Sequence, residues 1–412
     1  MSIDSLRADH CGYWGYHRDT TPVLDGMAEQ GIVFENAIAP GPKTPESMPA
    51  VFTGEFPAVE LNSTGIDSWQ EQVRPHMQAR ETIAEQFSRQ GYTTGAFTPN
   101  GFTSEYFGFD AGFDQFEDFL DEDYRPGFEM PNIVRGLIKW VRREGNWKFW
   151  EEYYDRIIRF VRNSSEPFFL WVFLLDVHSP YLVPGEYRTE NSWPEMIYAN
   201  WKREDLLSSD PVKRRLISAY DDTIRYADEF LRRIKEDLDG TDPAIVVHSD
   251  HGEAFGEHGI QGHERYLFEE NLHVPFLIDN VGCSGNIDKP VSIQSVPSVL
   301  DLVANDKTDD LLTRLRSRTV ADSPIAFRSN EGNGFGLRID QLKWIYKGDD
   351  FSLYDLESDP TESTDVSEEH PNLCEHFYDL MRIYLSSNRE KRTVVQQASE
   401  LVSGAVDRET VI

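Results

Sequence analysis

Cysteine is scarce in this chain: Cys11, Cys283 and Cys374 are the three among 412 residues, widely spaced and without a CxxC pair. That excludes a disulfide framework and a zinc knuckle. Positive charge is also short. Lys+Arg 40 stand against Asp+Glu 72, for a net charge of -32. This balance argues against nucleic acid and anionic membrane surfaces as partners, since their phosphates would repel it. No apolar run is long enough to cross a bilayer. No signal segment opens the chain either, so a cytoplasmic location is expected from that absence, although a start assigned too late would hide a leader. No internal repeat or low-complexity block is present. The acids are spread along the whole sequence and few of the basic residues are Lys. Ionic strength screens such self-repulsion, so a halophilic source is expected.

The stretch Ala244 to Gly259, AIVVHSDHGEAFGEHG, organises the rest. Its β-branched run Ile245–Val247 predicts a buried strand that delivers His248, Ser249, Asp250 and His251 at its carboxyl end. Ligands collect at that end of open α/β sheets. Asp250 and His251 together supply a hard oxygen and an imidazole nitrogen, a donor set that suits Zn, Mn or Fe. A helix cap at Asp250 and a satisfied surface histidine at His251 form the alternative. Gly252 lets the backbone turn away.

Other segments alternate between strand and helix. Met1–Asp4 reads as the end of a strand, Val23–Gln30 as a helix after Thr21-Pro22, and Val33–Ala39 as a strand. A helix start follows Pro40–Ser47, with Thr53-Gly54 closing it. Thr44 there is either an N-cap or a hydroxyl presented at a helix N-terminus. Glu81–Gln90 reads as a helix and Tyr92–Thr98 as a strand. The aromatic-rich stretch Phe102–Tyr154 reads as core and lid. Glu166–Leu175 is the most apolar run and reads as a central strand ending in Asp176-Val177-His178. Pro211–Leu238 has the spacing of a long surface helix, with Asp221 and Asp222 expected to be solvated.

IDSLRADHCGYWGYHRDTTPVLD (Ile3–Asp25), TPESMPAVFTG (Thr44–Gly54) and DHGEAFGEHG (Asp250–Gly259) together resemble the sulfatase branch of the alkaline-phosphatase superfamily. The resemblance implies an α/β fold with a mixed, mostly parallel central sheet flanked by helices, and a small C-terminal α+β subdomain. It places a metal-binding carboxylate at Asp4 and the nucleophile at Thr44. His178, in a His-x-Pro-Tyr-like loop, and His263 fall where the family contacts substrate, and LYDLESDPTE (Leu353–Glu362) resembles the C-terminal subdomain. His258 is expected to shape its loop. The implied division is residues 1–320 catalytic, 321–390 C-terminal subdomain and 391–412 tail.

The departures are specific. Familiar sulfatases carry Cys/Ser-x-Pro-x-Arg, whose first residue becomes formylglycine. Thr44 cannot form that aldehyde, Glu46 replaces the Pro, and Met48 replaces the Arg. Ser5 stands where many relatives have a second metal-binding Asp.

The expectation is therefore a hydrolase or transferase of phosphate or sulfate esters, phosphate first. Asp4, Thr44, Asp250 and His251 would hold one divalent ion (Mn, Zn, Mg or Ca), with catalysis by Thr44, His178 and His263. The alternatives are a sulfatase with an unmodified nucleophile and an inactive metal- or glycan-binding homologue. The expected partner is an ester substrate, glycan- or lipid-linked among the options, with no nucleic acid and no membrane span. Asp176 with both histidines is a further, poorly spaced option for a second metal.

Overall fold

The computed structural model describes residues 1–57, 66–120, 148–192, 194–196, 198, 210–238, 240–263, 265–305, 310–319, 324–329, 334–348 and 350–387. Much of the aromatic stretch 102–154 and the whole tail 391–412 lie outside the described residues. In chain order the strands are β1 (Ser2–Ile3), β2 (Ile32–Phe34), β3 (Ala37–Ile38), β4 (Thr93–Phe97), β5 (Gln115–Glu117), β6 (Phe168–Leu174), β7 (Ile245–Ser249), β8 (Ala254–Phe255) and β9 (Gln261–Gly262). They continue as β10 (Phe276–Asp279), β11 (Gly285–Ile287), β12 (Val291–Ser292), β13 (Ile325–Ser329), β14 (Gly334–Ile339), β15 (Leu342–Lys347) and β16 (Asp350–Asp355).

Eight strands form the main sheet in the order β11-β2-β10-β7-β1-β6-β4-β5. Only the pairings of β10, with β7 and with β2, are antiparallel. β1 sits between β6 and β7 and runs parallel to both. Asp4, Asp176 and Asp250 therefore leave the sheet along one edge. The strand expected over Val33–Ala39 is split into β2 and β3, because β3 leaves the main sheet to pair with β12.

Apolar faces on both sides of the sheet are covered, as a mostly parallel sheet requires. The helices Pro22–Gln30, Trp150–Asn163 and Asp210–Leu238 pack one face, through Met27, Ile157, Tyr220, Ile224 and Phe230. The helices Thr44–Thr53, Ile83–Arg89 and Val296–Asn305 pack the other, through Met48, Phe52, Phe87 and Val299. β13–β16 form an antiparallel meander. Its own core joins Leu337, Trp344 and Leu353 to Phe377 and Met381 of the helix at 371–387. Among the described residues, no helix is long and apolar enough to cross a membrane.

The long helix corrects one expectation. Asp221 and Asp222 are buried, not solvated. Asp221 accepts hydrogen bonds from His10 Nδ1 at 3.0 Å, from Tyr16 Oη and from Arg18 Nη1 at 2.7 Å. Asp222 accepts from Thr189 Oγ1 at 2.8 Å. Asp221 thus ties the glycine- and aromatic-rich loop after β1 to the helix, a tie that helical periodicity cannot reveal.

Candidate active site

β1 is extended only as far as Ile3, and Asp4 continues it by donating its amide to Leu174 O at 2.9 Å. Ser5 then turns with φ 57°, a conformation costly for a residue with a Cβ. Tyr220 holds that turn from below, donating its hydroxyl to Ser5 O at 2.6 Å and accepting from Arg7 N at 2.9 Å. Ser5 does not replace the missing second Asp as a charge. Its hydroxyl donates to Asp4 Oδ1 at 2.7 Å and its amide donates to Asp250 Oδ1 at 3.2 Å.

His248, within β7, lies 2.9 Å from Ser2 Oγ; burial lowers its pKa to about 3, so it is a neutral structural residue. Past the strand, Asp250 and His251 are both fully buried. Gly252 has a different reason from the one expected. A Cβ there would meet Glu270 O at 2.1 Å, so close backbone approach excludes a side chain.

The two strand ends converge. His251 Nε2 lies 3.7 Å from Asp4 Oδ1 and 3.5 Å from Asp250 Oδ2. Its Nδ1 faces Gly252 O at 2.9 Å, so the proton sits on Nδ1 and the Nε2 lone pair faces the acids. Asp250 Oδ1 is used by two backbone amides, whereas its buried Oδ2 has no hydrogen-bond partner among the described residues.

Thr44 completes the group. It is the first residue of the helix Thr44–Thr53, which Gly54 closes in the left-handed conformation. The N-cap is Lys43, so the capping alternative for Thr44 does not hold. Its hydroxyl turns to the acids: Oγ1 lies 3.5 Å from His251 Nε2 and 3.4 Å from Asn100 Nδ2. The helix is buried on every side from Thr44 to Phe52, which locks the hydroxyl in place. Asn100 also donates to Asp4 Oδ2 at 2.8 Å. Sequence reasoning missed Asn100; its position just beyond β4 is the strand-end signal that would have found it.

The electrostatics test whether a cation fits. Burial, and then the neighbouring Asp250, push the Asp4 pKa well above the usual carboxylate range. Burial lowers that of His251. Two buried acids beside a neutral imidazole therefore face one another with no positive side chain among their hydrogen-bond partners in the described residues. An orphaned carboxylate oxygen, a free imidazole lone pair and a second carboxylate, mutually within 4.8 Å, are the mixed oxygen and nitrogen donors that a divalent ion takes. The residues fit a metal, with Thr44 Oγ1 at the open side.

His263 and His178 extend this row outwards. The His263 ring lies 4.4 Å from that of His251, and the His178 ring 5.3 Å from that of His263. His263 Nδ1 faces Glu253 Oε2 at 3.2 Å, and Glu253 is fully buried. Sequence reasoning missed Glu253 because a lone acid after DHG carries no spacing signal. His178 Nδ1 lies 2.7 Å from Ser179 O. The three-residue second metal site, Asp176 with the two histidines, does not form among the described residues. Asp176 instead accepts from Trp150 N at 3.3 Å, and burial raises its pKa to about 8.

Fold and site define an α/β protein with an acid–imidazole centre at parallel strand ends, facing a buried threonine hydroxyl. The sulfatase family model matches residues 2–303. The chain is 24% identical over 466 residues to an arylsulfatase of Clostridium perfringens, covering 95% of each. Its fold resembles the phosphonate monoester hydrolase of Agrobacterium radiobacter at TM-score 0.65 and 18% identity, covering 94% of each chain. It also resembles a protein solved with its substrate D-glucosamine-2-N,6-O-disulfate at TM-score 0.66 and 16% identity, covering 95% of this chain and 97% of that one. This chain belongs to the sulfatase family.

Proposed function

We propose that the chain is a metal-dependent sulfuric ester hydrolase that uses unmodified Thr44 as its nucleophile. The observation that carries this reading is the Thr44 hydroxyl, buried at a helix N-terminus 3.5 Å from His251 Nε2 and beside two uncompensated carboxylates. A divalent ion bound by Asp4, Asp250 and His251 would lower the pKa of the threonine hydroxyl and polarise the ester.

The chain's own residues do the rest. Asn100 holds Thr44 and Asp4 in register through its two hydrogen bonds. Thr44 gives its hydroxyl proton to solvent, and its Oγ attacks sulfur in line, forming an O–S bond as the S–O bond to the alcohol breaks. His263, oriented by Glu253, protonates the leaving alkoxide. Water then attacks the sulfothreonine at sulfur with His263 taking its proton, the O–S bond to Thr44 breaks to release sulfate, and the freed Thr44 oxygen takes a proton back from solvent. His178 donates to a peripheral ester oxygen.

The names of the matched relatives favour sulfate over phosphate, which reverses the order of preference in the sequence. Charge supports the same choice. Met48, fully buried, stands in place of the motif arginine, and a sulfate monoester brings one negative charge where a phosphate monoester brings two. A sulfated sugar is the substrate class we favour.

The test is a panel of p-nitrophenyl sulfate, phosphate and phosphodiester, each with Mn, Zn, Mg and Ca, in dilute and molar salt. Sulfate turnover that requires metal is expected. Turnover of the phosphate monoester alone would overturn the sulfate reading, and metal binding without turnover of any ester would favour the inactive homologue.

A further inference from the structure

Asn271 lies in the short helix Glu269–Leu272 and is fully buried. It joins two separate turns. Its backbone carbonyl accepts from Gly252 N at 2.9 Å. Its side chain reaches another segment, where Nδ2 donates to Gly262 O at 3.0 Å. Gly252 follows His251 and Gly262 precedes His263. One residue thus fastens the peptide beside the metal-binding imidazole and the peptide beside the imidazole assigned as acid.

Both attachments matter to the rings. The Gly252 carbonyl is the one that faces His251 Nδ1 at 2.9 Å, so its position sets the tautomer that leaves Nε2 to Asp4 and Asp250. Gly262 ends a hairpin in which β8 and β9 pair through two residues each, Ala254 with Gly262 and Phe255 with Gln261. A hairpin that short does not fix its own end. The Asn271 side chain supplies an anchor from outside it. Beyond that anchor, His263 Nδ1 faces Glu253 Oε2 at 3.2 Å, and the His263 ring lies 4.4 Å from that of His251 with the planes 33° apart.

The chemistry of the side chain agrees. Its amide has one sensible orientation, since Oδ1 in place of Nδ2 would set two acceptors against each other. In that orientation the buried Oδ1 has no hydrogen-bond partner among the described residues. An apolar side chain of similar size would avoid the cost of that orphaned oxygen. What the position uses is the donor to Gly262 O.

We propose that Asn271 is a positioning residue for the acid: its side chain sets where His263 stands relative to His251, and so how well the leaving alkoxide is protonated. The inference rests on His263 acting as the acid in the reaction above. The metal-side attachment is made by the main chain of Asn271. A side-chain substitution therefore loosens the acid and spares the metal ligands.

The test compares kcat on phenyl sulfate and p-nitrophenyl sulfate, with metal content, for wild type, Asn271→Ala, Asn271→Ser, His263→Ala and Asn271→Ala with His263→Ala. Phenolate is a poor leaving group that needs the proton, and nitrophenolate needs it far less. Asn271→Ala is expected to slow phenyl sulfate about 10- to 100-fold and p-nitrophenyl sulfate less than about 3-fold, with wild-type metal content. Added to His263→Ala, it should cost nothing further on phenyl sulfate, because the two residues act as one unit. Asn271→Ser, whose hydroxyl falls short of Gly262 O, should repeat the pattern and serves where the alanine variant does not fold. Equal losses on both esters, loss of metal, or an effect that adds in full to that of His263→Ala would overturn the positioning role. If His263→Ala itself slows both esters equally, His263 is not the acid, and the proposed protonation step falls together with this inference.

Discussion

Two of the places where this molecule buries carboxylates treat the charge in opposite ways. At the strand ends Asp4 and Asp250 face each other with only a neutral imidazole between them. At the C-terminal sheet Glu269 is held by Lys343 and Arg338, both almost fully buried. Burial alone would raise the Glu269 pKa, but the two cations hold it well below the usual range. Burial and a like charge together raise that of Asp4. The chain answers its own charge where the role is architectural. At the strand ends it leaves charge unanswered, and there the donor set is one that a divalent ion fits. Glu362 lies between the two cases, with its pKa raised to about 7 by burial despite Lys343.

The comparison breaks first at the metal. Asp250→Asn is expected to weaken divalent-ion binding at the strand ends by at least about 100-fold, measured by calorimetry. In chelated protein the same change should raise the melting temperature. An amide at the Oδ2 position removes the like charge facing Asp4 and donates to the His251 lone pair. A lower melting temperature in the chelated variant would show that the acids are compensated by something else.

Lys343→Met tests the opposite case. It strands Glu269 and Glu362 without a central cation, so a loss of about 3–5 kcal/mol in denaturant unfolding is expected. A loss below about 1 kcal/mol would mean the network is water-screened and the contrast is false.

The smallest effect is in pH. A carboxyl whose folded pKa is raised stabilises the fold while protonated, and that contribution is lost as pH rises through the raised value. For Asp176 the window runs from 3.8 to about 8. Glu269, with its pKa lowered, contributes in the other direction: its stability is present above 4.5 and lost as pH falls. Asp176→Asn should therefore flatten the decline in stability across the upper window and leave the acid side unchanged. An unaltered profile would remove Asp176 from the account.

How much of this was legible follows from what each signal reports. β7 and β6 were readable because short apolar runs between polar ends have few other uses. Asp250 and His251 were read from their strand end, Asp4 and Thr44 from the family resemblance, and the structure brings their side chains together. Asn100 and Glu253 were not placed: Asn100 works through Asp4 and Thr44, both distant in sequence, and Glu253 through His263, a pairing that no spacing announces. The burial of Asp221 escaped for the same reason: His10, Tyr16 and Arg18 reach it across more than 200 residues. Sequence periodicity reports which face is apolar and does not report which acids are satisfied on the other.

The central claim is that Thr44 attacks while the acid–imidazole group holds the metal. The most direct measurement is the rate of aryl sulfate hydrolysis by Thr44→Ala, taken together with its metal content. A fall of about 1,000-fold or more in kcat with the metal content of wild type is predicted. Wild-type rates from Thr44→Ala would contradict it.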